Sequence, residues 1–117
     1  MGTVKPLFEK DIKRDIVRYL KIQGAFVWVN VSAGIWDPKK GFFRKQNGYG
    51  MLNGVSDILG IYKGLFIAIE VKRKPNKATQ EQEFFLSEVN RNGGVGMVAY
   101  CLEDVIERFS KICTNQY

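Results

Sequence analysis

Between positions 8 and 23 the apolar side chains fall at Phe8, Ile12, Ile16, Tyr19 and Leu20, with Lys10, Lys13, Arg14, Arg18 and Lys21 between them. That spacing of three and four predicts an amphipathic helix, and Gly24 stops it. Ala25 to Val31 (AFVWVNV) is β-branched and aromatic and too short for a helix, so it predicts a strand. Asp57 to Tyr62 and Leu65 to Lys72 predict two more strands, joined at Lys63-Gly64 in a hairpin-sized connection. Thr79, with Gln82 three residues on, has the form of a capping box. It opens a second helix with the apolar stripe Phe84, Phe85 and Val89, stopped by Gly93-Gly94. Val95 to Cys101 predicts a last strand, and Glu103 to Ile112 a closing helix with Val105, Ile106 and Phe109 facing inward. The order is α-β-β-β-α-β-α. A helix separates strand 65–72 from strand 95–101, so these two are expected to run parallel through a right-handed crossover. The result is an α/β fold, a mixed sheet flanked by helices.

One stretch has no such periodicity. Residues 32–56 contain Gly34, Gly41, Gly48, Gly50 and Gly54, with Trp36, Phe42, Phe43 and Tyr49 set among Lys39, Lys40, Arg44 and Lys45. This predicts a mobile basic and aromatic loop, and a loop of this length inside a small domain is usually functional. The glycines do not form a dinucleotide-binding turn, because the spacing is wrong and a strand follows. No nucleotide cofactor is expected.

Composition narrows the chemistry. The chain of 117 residues is the size of one domain, 1–117, and it contains no histidine. That excludes imidazole-based triads, HExxH zinc peptidases, zinc deaminases and His-ligated copper or haem iron. Cys101 and Cys113 form no CxxC pair and read as idle thiols of a reducing compartment. Met1 to Asp15 alternates charges with single apolar residues, unlike a secretion signal, and no apolar run is long enough to span a bilayer. The expected setting is therefore cytoplasmic, of a cell or of a virus-infected host, and not secreted. The net charge is +6, and it is concentrated: residues 16–80 hold eleven basic residues against Asp37, Asp57 and Glu70 alone. A concentrated positive field points to a polyanionic partner, of which nucleic acid is the commonest.

The strand LFIAIEVK carries charge where its pattern calls for apolar side chains. Alternation sets Phe66, Ala68, Glu70 and Lys72 on one face and Ile67, Ile69 and Val71 on the other. In a hairpin turning at residues 63–64, the start of the first strand pairs with the end of the second, which brings Asp57 beside Glu70. Two adjacent carboxylates repel and raise each other's pKa unless a cation lies between them. A hard divalent cation such as Mg²⁺ resolves this, since it prefers oxygen ligands and keeps waters for a phosphate to join. Lys72, one pleat away, has the ammonium to orient a water or to balance charge building on phosphoryl oxygens. Glu9, early in the first helix, is a candidate outer ligand. The plain alternative is a same-face salt bridge between Glu70 and Lys72.

Gly54-Val55-Ser56-Asp57, then Glu70-Val71-Lys72, then Thr79-x-x-Gln82 resembles the PD-(D/E)XK nuclease superfamily, and within it the VRR-NUC branch. The resemblance runs from about Glu9 to Val105 and has Ser56 where the branch usually has proline. It implies a restriction-endonuclease-like core and a Mg²⁺- or Mn²⁺-dependent phosphodiesterase. It further implies that Asp57, Glu70 and the Val71 carbonyl hold the metal, that Glu9 reaches it through water, and that Lys72 positions the attacking water. Gln82 either supports the site or serves only as the capping partner of Thr79. Single-domain, virus-type members of the branch are similar to homodimeric nucleases that cut branched DNA such as four-way (Holliday) junctions. Lys39, Lys40, Arg44, Lys45, Arg73, Lys74 and Lys77 are the candidate nucleic-acid contacts, with a solvated charge run as the ordinary alternative. Two other readings remain open: a non-catalytic nucleic-acid-binding module, and an interaction subunit whose loop binds a protein partner.

Overall fold

The computed structural model describes residues 8–31, 35–44 and 49–114. Helix α1 (Glu9–Ile22) buries Ile12, Ile16 and Leu20, one per turn, while the lysines and arginines between them face outward or sideways. Strand β1 (Phe26–Val29) follows, and the main sheet is completed by β4 (Ile58–Tyr62), β5 (Leu65–Val71) and β6 (Val95–Ala99) in the order β1-β4-β5-β6. β1 and β5 both run antiparallel to β4, and β6 runs parallel to β5. Helix α2 (Gln80–Arg91) makes the crossover between β5 and β6, and α3 (Leu102–Thr114) closes the chain. The order α-β-β-β-α-β-α of the main fold therefore holds, with a mixed four-stranded sheet and three helices.

The hairpin between β4 and β5 turns at Lys63 (φ 50°) and Gly64 (φ 81°). Two successive positive φ values match the right-handed twist of the flanking strands, and this two-residue turn fixes the register Ile58↔Ile69. On one face of the sheet Ile58, Tyr62, Ile67, Ile69 and Val71 join α1 and α3 (Val105, Phe109, Ile112) in a single apolar core. Across the other face α2 covers β5 and β6.

Three expectations are corrected. Residues 32–56 are not structureless: β2 (Ile35–Asp37) and β3 (Phe42–Arg44) pair antiparallel as a separate two-stranded sheet, with Lys39 and Lys40 exposed in the turn. Short β-branched and aromatic triplets around a Gly-containing turn carry that signal, and the interspersed charges and glycines hid it. In α2 the buried residue is Leu86, whereas Phe84 is exposed, and Phe84, Phe85 and Val89 line an open cavity of about 470 Å³ with Leu52 and Phe66. In α3 it is Ile112 that completes the core with Val105 and Phe109, while Ile106 is turned outward. Both shifts follow from the phase of helix docking, which a short apolar stripe leaves uncertain by about one position.

Candidate metal and phosphodiester site

The β4–β5 ladder runs from Tyr62↔Leu65 to Ile58↔Ile69, so the next residues outward, Asp57 and Glu70, face each other where the pairing ends. Val71 has no backbone partner on β4, and its N–H donates instead to Asp57 Oδ2 at 2.9 Å. Asp57 is fixed from its backbone as well, its carbonyl accepting from the Asn30 amide at 2.8 Å. One carboxylate oxygen of Asp57 is thus tied to β5, and the other, Oδ1, turns toward α1, where Lys13 Nζ lies 3.9 Å away.

Glu70 is 2% exposed, one of two buried polar or charged residues among those described, the other being Ser56. Its Oε2 accepts from Gln82 Nε2 at 3.1 Å and lies 3.8 Å from Lys72 Nζ. Its Oε1 is buried with no hydrogen-bond partner. Burial, then the charge of Asp57 and a shared hydrogen bond with it, push the Glu70 carboxyl up to about 8, with Glu9 adding to the rise and Lys72 opposing it. A cation between the two carboxylates would oppose that rise.

Gln82 makes two sets of contacts, one within the capping box and one to Glu70. Its Oε1 accepts from the Thr79 N–H at 2.9 Å while Thr79 Oγ1 accepts from the Gln82 N–H at 3.1 Å, a complete capping box. With the amide oxygen held there, the NH₂ group is directed at Glu70. Gly54 sets the approach of this helix end: at φ +80° it packs so close that an added Cβ would stand 2.4 Å from the Glu81 carbonyl carbon and 2.7 Å from the Gln82 nitrogen. The glycine ahead of Asp57 is thus required by contact with α2, and the same turn carries Ser56 into the interior, its Oγ buried and unpartnered.

Glu9 Oε2 accepts from the Arg73 N–H at 3.1 Å, which ties the first turn of α1 to the end of β5. Among the described residues no three Asp, Glu, Cys or His side chains are grouped so as to ligate one ion by themselves. A metal here would draw on two carboxylates, Asp57 and Glu70, together with backbone oxygen and water, with Glu9 at one remove. The residues present fit a hard divalent cation on two grounds: the donors are all oxygen, and two carboxylates, one of them buried, meet at the same strand end.

Arg73, Lys74 and Lys77 follow directly on the linker from β5 to α2; Arg73 Cζ lies 5.5 Å from the centre of the Phe8 ring and Lys74 Nζ 5.6 Å from that of Tyr100. Lys39 and Lys40 sit on the β2–β3 turn, the backbone of Arg44 is in β3, and Lys45 lies outside the described residues. Lys13 was missed by sequence reasoning. The available signal was its spacing of four from Glu9, which sets both on one helix face. Compared with protein-family models and with curated proteins, the chain has no match.

Proposed function

We propose that the protein is a metal-dependent structure-selective DNA endonuclease with a PD-(D/E)XK core of the VRR-NUC type. The observation that carries this reading is the buried Glu70 carboxyl, held against Asp57 where the β4–β5 pairing ends and directly before a basic linker. A structural ion pair between Glu70 and Lys72 alone would not call for a second carboxylate placed against a buried first one. Asp57, Glu70 and the Val71 carbonyl would hold Mg²⁺ or Mn²⁺, with Glu9 reaching it through water. When bound, such an ion polarises the phosphoryl oxygen and makes a coordinated water a stronger nucleophile at neutral pH.

The chain's own residues do the rest. Val71 N–H and the Asn30 amide hold Asp57 in one orientation. Gln82 fixes Glu70 from the side of α2, and the Arg73 N–H anchors Glu9. Lys72, on the same strand end, directs its ammonium at the Glu70 carboxylate and positions the attacking water. Arg73, Lys74, Lys77, Lys39, Lys40, Arg44 and Lys45 supply the positive field for the phosphate backbone.

Branched DNA such as a four-way junction is the substrate this reading favours, because paired cuts need two sites and one chain supplies one. Support for a homodimer comes from the sheet face that α2 leaves open. Phe26, Trp28, Ile61 and Phe66 are all exposed there, with the Phe26 and Trp28 rings 5.4 Å apart.

The test uses purified protein with Mg²⁺ or Mn²⁺ on matched duplex, flap, splayed-arm and four-way-junction DNA. Asp57→Ala, Glu70→Ala and Lys72→Ala should each lower cleavage by about a hundredfold or more while leaving junction binding in place. Full activity in either carboxylate variant would overturn the assignment. Binding of DNA with no cleavage of any substrate, and no carboxylate-dependent metal uptake, would favour a non-catalytic binding module.

A further inference from the structure

The Glu70 side of the carboxylate pair has Lys72, the lysine of the signature, but Asp57 has a second lysine from another element. Lys13 lies on α1 one turn beyond Glu9, and its Nζ is 3.9 Å from Asp57 Oδ1, the oxygen that the Val71 amide leaves available. Both side chains are about three-quarters shielded from solvent, at 28% and 27% exposure, so the attraction is less screened than at a surface pair. Oδ1 is also the Asp57 oxygen left open to a cation, since Oδ2 is already an acceptor from β5. One oxygen cannot serve an ammonium and a divalent ion equally well, and two cations at that separation repel.

The geometry points to Lys13 as the resident counter-ion of Asp57, which a divalent cation must displace to bind. Lys13 is then a positioning residue that sets how tightly the site takes metal. It holds the Asp57 carboxylate oriented through Oδ1 until the ion arrives. The inference rests on the metal-site reading of Asp57 and Glu70. Lys10, on the same helix and exposed, carries an equal charge with no contact to the pair and provides the control.

The experiment is calorimetric titration of Mn²⁺, without DNA, into the parent protein and the Lys13→Met, Lys13→Arg, Lys10→Met and Asp57→Asn variants, each first checked for an unchanged melting transition. Lys13→Met should bind Mn²⁺ about two- to fivefold more tightly, the size expected for one partly screened ion pair. Lys13→Arg and Lys10→Met should match the parent. In parallel, acetylation with an amine-reactive ester, read by peptide mass spectrometry, should increase at Lys13 about twofold or more on adding Mn²⁺ and stay constant at Lys10. If Lys13→Met and the parent bind Mn²⁺ equally, and Lys13 labelling does not respond to the ion, the counter-ion role is wrong while the metal site stands. If the parent shows no Mn²⁺ binding that Asp57→Asn abolishes, the metal site itself is wrong and the inference falls with it.

Discussion

At the scale of single residues, the site is governed by where a charge can be left without water. Glu70 is held at about 8 against an ordinary 4.5 by burial and by Asp57. The unfolded chain gives up this proton near 4.5 and the folded chain near 8, so between those values the native state binds more protons and stability falls as pH rises. The contribution is complete below about 4.5 and lost above about 8. With chelator present, the melting temperature should therefore decline from about pH 5 to about pH 8, and Glu70→Gln should flatten that decline. A parent protein whose melting is level over this range would contradict the assignment. Mn²⁺ binding at neutral pH should correspondingly release a proton, visible as a calorimetric enthalpy that depends on the buffer. The identity of Asp57, Glu70 and Lys72 as a group was legible in the sequence, because strand alternation and hairpin pairing are local rules. Lys13 was not, since its partner is 44 positions away and only the docking of α1 against β5 brings them together.

At the scale of elements, the capping box of α2 does two jobs with one side chain. Thr79→Ala removes an N-cap acceptor and should cost about 1 kcal/mol, and it also frees the Gln82 amide that Glu70 depends on. Gln82→Glu separates the two jobs: a carboxylate still accepts from the Thr79 N–H, but it has no donor for Glu70 and adds a like charge. Chemical denaturation should find Gln82→Glu near parental stability at pH 5 and destabilised at pH 8, whereas Thr79→Ala is weakened equally at both. Gly54→Ala is expected to be more damaging than either, about 2 kcal/mol or more, because strain at φ +80° adds to a clash with the backbone of Glu81. A circular-dichroism melt indistinguishable from the parent would refute that. Capping chemistry was readable from Thr79 and Gln82 because it spans three residues, but the need for glycine at position 54 arises from a contact with a helix that begins at Gln80.

At the scale of the whole molecule, charge and exposed apolar surface occupy different stretches of the sheet: Glu70 lies at the C-terminal end of β5 and Phe66 near its start. The basic linker follows the carboxylate pair directly, and the exposed side chains of Phe26 and Trp28 on β1, Ile61 on β4 and Phe66 on β5 lie away from the core. If DNA binding is electrostatic through Arg73, Lys74 and Lys77, replacing all three with alanine should lower the slope of log K against log salt by about 2 to 3. An unchanged slope would move the contact elsewhere, to the β2–β3 turn for instance. Trp28→Lys with Phe66→Glu should convert a dimer to a monomer by light scattering without changing Mn²⁺ affinity; a parent that is already monomeric removes the support for paired cutting. No helix among the described residues is long and apolar enough to cross a membrane. Local periods along the chain specify three helices, four main strands, a hairpin at Lys63-Gly64 and a capped helix after the basic linker. Each is set by interactions within a few residues, and these fix which side chains share a face. Only the tertiary structure decided the docking phase of α2 and α3, the separate β2–β3 hairpin, the burial of Ser56 and Glu70, and the meeting of Lys13 with Asp57. Those depend on contacts between elements distant in the chain, where a shift of one position along a helix exchanges a buried side chain for an exposed one.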